Sequence, residues 1–555
     1  MIAVLNAYTL SECMEIMAEY AAAYESRGGR NLIFCEDRLT LIAEQALTRK
    51  TGGTFFSSVT TFARFLKTDE RILTKQGSVM AIGGIMTELQ RKRALKCFTS
   101  ASGIKNNAKC IYETVAQLAA SEVTPETLAE SLSLLPQDML KDKVSDLAAI
   151  YEGYTAFLRE KGYVDESRYL SLLPDCIRHD ANLRGANIFF LCFTSFTAQA
   201  AEAIRAAAET GANVLGIFCS GKEEIYTNRA FSAFTKACEG YGKVQVRSLG
   251  TPLEGEAEVL RAGLFNPERL AGERMKTDKI RIFEAEDKSG EAEYIAANIK
   301  KLLAERPALR YRDIAVLVPD MAGYSLPFKK TFDEYGIPWF FDEKKSLKRH
   351  PLSRFLLSCF AAVREGYSPA AVQGLTQNVF FGPSDAYRNY LLKFANYRGG
   401  AKREIKRGEL VDAYNRAELE ACRERLLQAT RGIPRKARGK EYCRAVRRIL
   451  SDFSVEEKLK ELSESVGETG YGSYLSQISG ALKRVLDEAE LLTGEREMTA
   501  SEFETVLADG LDATDISLIP LKADAVFVGD ITDSRIEKVR VLFAAGMTDD
   551  VPRNA

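Results

Sequence analysis

The chain has 555 residues, of which 46% are hydrophobic and 28% are charged, and this length exceeds what a single hydrophobic core supports. We therefore expect roughly three or four globular domains. The net charge of −1 excludes a chain that binds polyanions through its bulk charge, so any nucleic-acid surface must be local.

Secretion and membrane insertion are not expected. The eleven cysteines form no CxxC pair, which favours reduced thiols in a cytoplasm over a disulfide framework or a zinc site. The N-terminus lacks the positively charged start of a signal peptide. No apolar run reaches about 18 residues, the length that a membrane-spanning helix needs. We expect a cytoplasmic protein without a membrane partner.

The chain begins with a predicted strand over residues 2–5 and an Ala-rich helix over residues 9–24. In a P-loop protein the turn between them reads GxxxxGK[ST], because backbone N–H groups and the Lys hold phosphates. Here the turn reads NAYTLSEC, and the first Gly and Lys of the chain are Gly28 and Lys50. The sequence therefore predicts that this turn does not hold ATP as a P-loop does.

Three more apolar runs predict strands that are buried on both faces of a parallel sheet, at residues 31–35, 186–193 and 213–219. In an ATP-driven motor, the second of these runs would end in adjacent carboxylates that hold Mg²⁺. It ends instead in LCFTSFT, without an acid. Residues 70–165, which precede it, show helical spacing of apolar side chains throughout.

The second half repeats this alternation. Residues 251–274 are a plausible linker, and residues 279–285 (KIRIFEA) predict the first strand of another sheet. Residues 365–500 are predicted to be helical. Residues 523–531 and 539–546 predict two further strands near the end of the chain.

Residues 310–358 carry the most specific pattern. A strand (DIAVLV) ends at Pro319, a helix follows over residues 325–335, and after Gly336 a second extended segment leads to an apolar helix. Strand–helix–strand order alone is also typical of any other α/β protein. The combination of YRDIAVL, YGIPWFFD and KKSLKRHPL, however, resembles the B subunit (AddB or RexB) of AddAB-type helicase–nucleases, which process double-strand DNA ends for recombination in bacteria.

This resemblance implies an α/β fold with two RecA-like parallel-sheet domains of the superfamily 1 helicase type, each with a helical insertion. It would divide the chain into four parts. The first domain, with a degenerate P-loop, would comprise residues 1–70 and 166–275, and its insertion would comprise residues 71–165. The second domain, which we expect to be incomplete at its C-terminal end, would comprise residues 276–364 and 500–555, and its insertion residues 365–499. At the end of DIAVLV, ATP-using relatives place an Arg that contacts the γ-phosphate. Here that position is Pro319.

The resemblance also predicts DNA contacts. EDRLTLIAEQAL and SSVTTF match two segments that, in some family members, contact single-stranded DNA and help to recognise a recombination hotspot, although Thr61 replaces the family's Arg. The positions that would inherit these contacts are Arg38, Thr40, Thr60, Thr61 and Arg64. The alternative is that the hydroxyl groups only cap helices.

A second candidate DNA surface follows from charge segregation. Residues 398–448 contain 16 Lys and Arg against 7 Asp and Glu, whereas residues 451–510 contain 5 against 14. The densest basic part includes Arg435, Lys436, Arg438 and Lys440, which predict contacts with phosphates or with an acidic partner. The alternative is that the basic and acidic halves pair with each other.

The function that this sequence predicts is the helicase-like, DNA-binding and scaffolding part of a helicase–nuclease subunit, without an ATPase or catalytic residues of its own. The expected partners are single-stranded DNA, duplex DNA ends and the A subunit of the complex. We expect no cofactor in this chain, because the resemblance assigns an iron–sulfur cluster and Mg²⁺ to the family's C-terminal nuclease part. Two alternatives stay open: an active superfamily 1 ATP-dependent DNA helicase, and a protein-interaction scaffold without DNA contact.

Overall fold

The structure is a computed structural model, and it is described here for most of the chain. The described residues are 1–66, 71–99, 101–165, 169–221, 225, 228–263, 277–395, 405, 415–465, 470–517, 524–532, 534, 536 and 539–548. Residues 264–274 of the predicted linker, and residues 549–555 of the predicted second domain, lie outside this set.

A six-stranded parallel sheet forms the first half of the α/β part. Its strands, in spatial order, are Ser57–Thr60, Asn31–Cys35, Asn187–Leu191, Asn213–Cys219, Ile2–Ala7 and Gln245–Ser248. The four inner strands are almost wholly buried, because helices cover both faces and form one apolar cluster on each. The predicted strands in these four regions are confirmed.

A four-stranded parallel sheet forms the second half. Its spatial order is Trp339–Phe341, Val526–Asp530, Ile314–Val318 and Val541–Ala544. The helix after Ile314–Val318 begins earlier than predicted, at Met321, because the Asp320 side chain accepts a hydrogen bond from the backbone of Gly323 and caps it. The fold is therefore mixed α/β with parallel sheets.

One predicted strand is wrong. Residues 279–285 belong to neither sheet, and the Ile282 side chain is 96% exposed. Phe283 instead stacks on Tyr294 of the following helix, with ring centroids 3.6 Å apart. An apolar run indicates that a segment can form a strand, but a strand also needs a neighbour that offers its backbone, and this segment has none among the described residues.

Some helices cover the faces of the two sheets. The described helices within residues 75–161 and 351–513 pack on one another and form a separate helical layer. Within the described residues the α-helices are Leu10–Glu25, Thr40–Thr51, Phe62–Phe65, Lys75–Arg91, Ala101–Ala120, Pro125–Ser131, Met139–Lys161, Leu173–His179, Ala198–Glu209, Arg229–Ala237, Glu256–Gly263, Lys288–Glu305, Met321–Glu334, Pro351–Arg364, Pro369–Thr376, Asp385–Tyr390, Arg416–Thr430, Gly439–Asp452, Val455–Ser465, Gly470–Thr493 and Ala500–Ala513. None of the helices so described is both long and apolar enough to cross a bilayer.

Helices from distant parts of the chain pack closely against each other. Helix Lys75–Arg91 lies against helix Ala500–Ala513, and glycines permit the close approach. A Cβ atom on Gly83 would lie 2.2 Å from a carboxylate oxygen of Asp509, and one on Gly510 would lie 1.8 Å from the Met80 methyl group. Residues far apart in the chain thus share one helical layer, and the predicted domain boundaries stay predictions.

Three two-stranded sheets connect parts of this helical layer. They pair Arg71–Leu73 with Tyr163–Asp165, Lys344–Ser346 with Asp515–Ser517, and Lys436–Arg438 with Glu497–Thr499. The last two pairs are antiparallel and the first is parallel. Among the described residues of the stretch 365–499, helices predominate, and the strands are Lys436–Arg438 and Glu497–Thr499.

His350 begins the apolar helix Pro351–Arg364. Its ring Nδ1 accepts a hydrogen bond from the backbone N–H of Leu352 at 3.1 Å, and its side chain contacts Phe380, with ring centroids 6.2 Å apart. Because the residue is only 5% exposed, burial lowers the pKa of the imidazole to about 4. The ring is therefore neutral at physiological pH, as its role as a hydrogen-bond acceptor requires.

We predict that His350 makes the fold sensitive to acid. Its folded pKa lies below its unfolded value of about 6.5, so the unfolded state binds more protons as the pH falls, and stability is lost. Between about pH 7.5 and about pH 5 this one group should cost about 2 kcal/mol of unfolding free energy. The measurement is denaturant unfolding of the wild type and of His350→Asn, which keeps a capping side chain without a titrating ring.

The difference in unfolding free energy between the two proteins should shift by that amount over this pH range. His179→Asn is the matched control, because His179 is exposed and is the only other histidine of the chain. An equal pH dependence in the wild type and the His350→Asn variant would contradict the prediction.

Candidate nucleic-acid cleft

An ion pair joins the carboxyl edges of the two parallel sheets. Arg38 follows strand Asn31–Cys35 of the first sheet, and Asp342 follows strand Trp339–Phe341 of the second. Arg38 Nη1 lies 3.5 Å from Asp342 Oδ2, with the two side chains 34% and 33% exposed. Ligands of open α/β sheets bind at the carboxyl ends of the strands. This edge-to-edge contact therefore defines the candidate cleft.

The other predicted residues of this group cluster around Asp37. Arg64 Nη2 lies 2.7 Å from Asp37 Oδ1, and the hydroxyl of Thr40 donates to the Asp37 carbonyl at 2.8 Å. Thr61 accepts a hydrogen bond from the backbone of Arg64 and caps the short helix Phe62–Phe65. The hydroxyl of Thr60 donates to the Thr61 carbonyl at 3.2 Å. The threonine hydroxyl groups thus form hydrogen bonds with nearby backbone groups, as the capping alternative expects. The guanidinium groups of Arg38 and Arg64 are solvent-exposed, and each is paired with a carboxylate.

The turn that a P-loop would occupy is filled by a carboxylate of the chain itself. Glu12 Oε2 accepts hydrogen bonds from the backbone N–H groups of Tyr8 and Thr9 and from the Thr9 hydroxyl, each at 3.2 Å. Its other oxygen accepts from the backbone of Thr251 at 2.8 Å. The backbone N–H groups of Tyr8 and Thr9, directly before the first turn of the helix, are therefore already bonded to an internal anion.

The same turn is also closed by packing. A Cβ atom on Gly250 would lie 2.8 Å from both the Cα of Ala7 and Glu12 Oε2, so the segment after strand Gln245–Ser248 lies directly against the turn. Glu12 was not predicted as a functional residue, although Thr9 and Glu12 have the spacing of a capping box and form one. This spacing in the sequence was the signal from which the hydrogen bonds of Glu12 could have been predicted.

Aromatic rings occupy the position where a motor protein places its metal-binding acids. Strand Asn187–Leu191 is followed by Phe193, which stacks on Phe62 with ring centroids 5.2 Å apart and contacts Phe196 at 4.9 Å. In the second sheet, Pro319 follows strand Ile314–Val318, and the next residue, Asp320, pairs with Lys288 at 3.0 Å. An aromatic cluster therefore lies where ATP-using proteins carry metal-binding acids. Pro319, followed by an acid, lies where they carry an Arg.

The second predicted group lies on the antiparallel pair Lys436–Arg438 and Glu497–Thr499. Lys436 Nζ lies 2.9 Å from Glu497 Oε2, while Arg438 and Lys440 contact the two oxygens of Glu495 at 3.2 and 2.7 Å. Arg435 is exposed and has no acid within 4 Å among the described residues. The basic and acidic halves therefore do pair here, as one of the two alternatives states, and the DNA contact of this group stays a prediction.

Comparison with known proteins agrees with the resemblance read from residues 310–358. Residues 23–265 match the model of the N-terminal region of AddB. The chain is 26% identical to the B subunit of an ATP-dependent helicase/deoxyribonuclease of Clostridium novyi, over 94% of this chain and 48% of that protein. Identically named B subunits from Anoxybacillus flavithermus and Alkaliphilus metalliredigens are 25% and 24% identical, over 98% and 95% of this chain and 50% of each relative.

The chain thus spans about half the length of the curated relatives that it matches. The match to the Anoxybacillus flavithermus protein covers nearly the whole chain, and the family model covers most of the first sheet together with Arg38 and Arg64. The match to the family model and the similarity to these relatives support an AddB-type protein.

Proposed function

We propose that this chain is the helicase-like, DNA-binding and scaffolding part of a helicase–nuclease B subunit that processes double-strand DNA ends for recombinational repair, and that it has no ATPase of its own. The names of its relatives support a role in DNA end processing. The observation that carries the DNA-binding part is the ion pair between Arg38 and Asp342, because it brings the binding edges of both parallel sheets to one cleft.

A single strand would pass along this cleft with its phosphates near Arg38 and Arg64. Both guanidinium groups are held by carboxylates, but these pairs are solvent-exposed, and such pairs contribute only about 0–1 kcal/mol each. A phosphate can therefore replace either carboxylate at small cost. Thr60 and Thr61 are partly exposed beside them, while Thr40 is buried and would act by positioning Asp37.

The proposed lack of ATPase activity rests on Glu12. A nucleotide phosphate would have to displace this carboxylate from the helix N-terminus, where its four hydrogen bonds are already made. Neither a Gly nor a Lys is present in the turn to receive the phosphate. In this proposal the A subunit of the complex, as the partner chain, supplies the motor, and the complex works in the cytoplasm.

We predict that the chain does not bind ATP saturably in the micromolar range and that Glu12→Ala does not create such binding. Removal of the carboxylate should cost about 1 kcal/mol of unfolding free energy, because the turn loses its cap. Equilibrium binding of labelled ATP and denaturant unfolding are the two measurements. Glu15→Ala, an exposed acid of the same helix, is the control for stability. Saturable ATP binding by the wild type would revive the active-helicase alternative.

We predict that changing Arg38 and Arg64 together to Ala weakens binding of single-stranded DNA. Each phosphate contact adds about 0.7 to the negative slope of log affinity against log salt, so the slope should flatten by roughly one unit. The measurement is a salt titration of oligonucleotide affinity. Arg49→Ala with Lys50→Ala is the matched control, because it removes the same charge from the far end of helix Thr40–Thr51. If the wild-type protein does not bind single-stranded DNA at any salt concentration, the scaffold alternative is favoured.

For the second group, we predict that changing Arg435, Lys436, Arg438 and Lys440 to Ala flattens the salt slope by roughly two to three units without altering sequence preference. The converse change, Glu495→Gln with Glu497→Gln, releases three cations from their partners and should strengthen DNA binding. A variant that loses several degrees of melting temperature with its salt slope intact would show that these cations serve only the internal pairs.

A further inference from the structure

The helical layer contains a cavity of about 730 Å³ that is separate from the cleft between the sheets. Its wall includes the backbone turn at residues 379–383, the side chain of Arg425 from helix Arg416–Thr430, and Lys458 from helix Val455–Ser465. Pockets for small ligands usually have volumes of about 300–1,000 Å³. The cavity is therefore of a size that holds a small organic ligand rather than a few water molecules.

Two cations line this cavity, and within the described part of the chain neither of them forms an ion pair. Among the described residues, neither Arg425 nor Lys458 has a carboxylate within 4 Å, although most other charged side chains of the helical layer are paired. Burial lowers the pKa of Lys458, and the nearby positive charge of Arg425 lowers it further; Glu461 opposes this shift more weakly. Glu461 and a second acid, Asp452, both line the cavity. Asp452 Oδ2 lies 3.8 Å from Arg448 Nε.

The chain holds both cations in place. Lys458 Nζ donates to the carbonyl of Phe380 at 3.0 Å, and Arg425 donates to the carbonyls of Phe381 and Pro383 at 3.4 and 2.6 Å. The Arg425 guanidinium also lies over the Phe381 ring, 5.3 Å from its centroid. Because these contacts fix the side chains in advance, a ligand would not have to order them.

Two details indicate that this cavity can hold a ligand with a hydrogen-bond acceptor. The Nε atom of Arg425 is buried and has no hydrogen-bond partner in the described part of the chain. Gly382 has φ +92°, and a Cβ atom there would lie 2.9 Å from Arg425 Nη1, so a larger residue would force the guanidinium away. A buried donor without an acceptor is unfavourable, and an anion in the cavity would relieve both this and the repulsion between the cations.

We propose that this cavity binds a nucleotide, with its phosphate held between Arg425 and Lys458. A phosphate matches the fork of a guanidinium and accepts from an ammonium group as well. The cavity is larger than a phosphate alone requires, and the exposed Val379 and the partly buried Leu462 offer apolar surface to the sugar and base. The nucleotide could belong to a DNA strand or be a free nucleoside phosphate, because both carry the same group. The proposal does not depend on the function proposed for the cleft.

The first test measures calorimetric binding of dTMP, of a thymidine tetranucleotide and of inorganic phosphate. Lys458→Gln should weaken the binding of dTMP and of the tetranucleotide by about tenfold or more. Lys460→Gln is the matched control: it removes the same charge from the same helix, and the one acid paired with Lys460 among the described residues is the exposed Glu464, at 4.0 Å. Its affinity should stay within about twofold of the wild type.

The two sources are distinguished by their relative affinities. A tetranucleotide that binds about tenfold more tightly than dTMP identifies a DNA strand as the ligand, whereas equal affinities identify a free nucleotide, and either result supports the site. Inorganic phosphate that binds as tightly as dTMP would overturn the assignment of a nucleotide. No saturable binding up to about 10 mM, or equal losses in Lys458→Gln and Lys460→Gln, would overturn the site itself.

A second measurement on the wild-type protein covers the case in which a variant misfolds. Acetylation of lysines by acetic anhydride, followed by mass spectrometry, should be slowed several-fold at Lys458 by saturating dTMP and left unchanged at Lys460. Arg38→Ala with Arg64→Ala should show the same protection, because those residues lie in the cleft. Loss of protection in that variant would place the ligand in the cleft and overturn this proposal while leaving the proposed DNA function intact.

Discussion

Parallel strands that are buried on both faces leave a protein only their ends for chemistry. In the first sheet Phe34, Phe189, Phe190 and Phe218 are completely enclosed, because helices must cover both faces of an all-parallel sheet. Function is therefore confined to the edges where the chain turns from strand to helix. The pair between Arg38 and Asp342 joins two such edges, and any ligand of the cleft must compete with it or use it.

The P-loop position illustrates how one set of backbone groups can serve two purposes. Helix N-termini attract anions because their first N–H groups lack partners within the helix. Glu12 supplies that anion from within the chain, and Gly250 allows the following segment to close over it. In the function that we propose, this turn is a stabilising cap and does not bind a phosphate.

The sequence predicted local structure well where one segment determines its own environment. The bounds predicted for Asn31–Cys35 and Asn213–Cys219 match the structure, because continuous apolar runs are compatible only with buried strands. Residues 279–285 failed because their pattern cannot say whether a neighbouring strand exists. Pairs such as Lys436 with Glu497 and Arg38 with Asp342 join distant parts of the chain, and composition alone could give their charges but not their geometry.

Part of the charge segregation in the sequence resolves, in three dimensions, into ion pairs between the basic and the acidic stretch. Along helix Gly439–Asp452, Arg447 reaches both Asp487 and Glu490, as the basic and acidic stretches fold against each other. Such exposed pairs contribute little to stability, yet they determine which cations stay available to an external anion. Arg425 and Lys458 escape this pairing within the described residues, although they are held by carbonyl groups and aromatic rings. A basic surface is therefore better identified by the cations that remain without acids than by the number of basic residues in a segment.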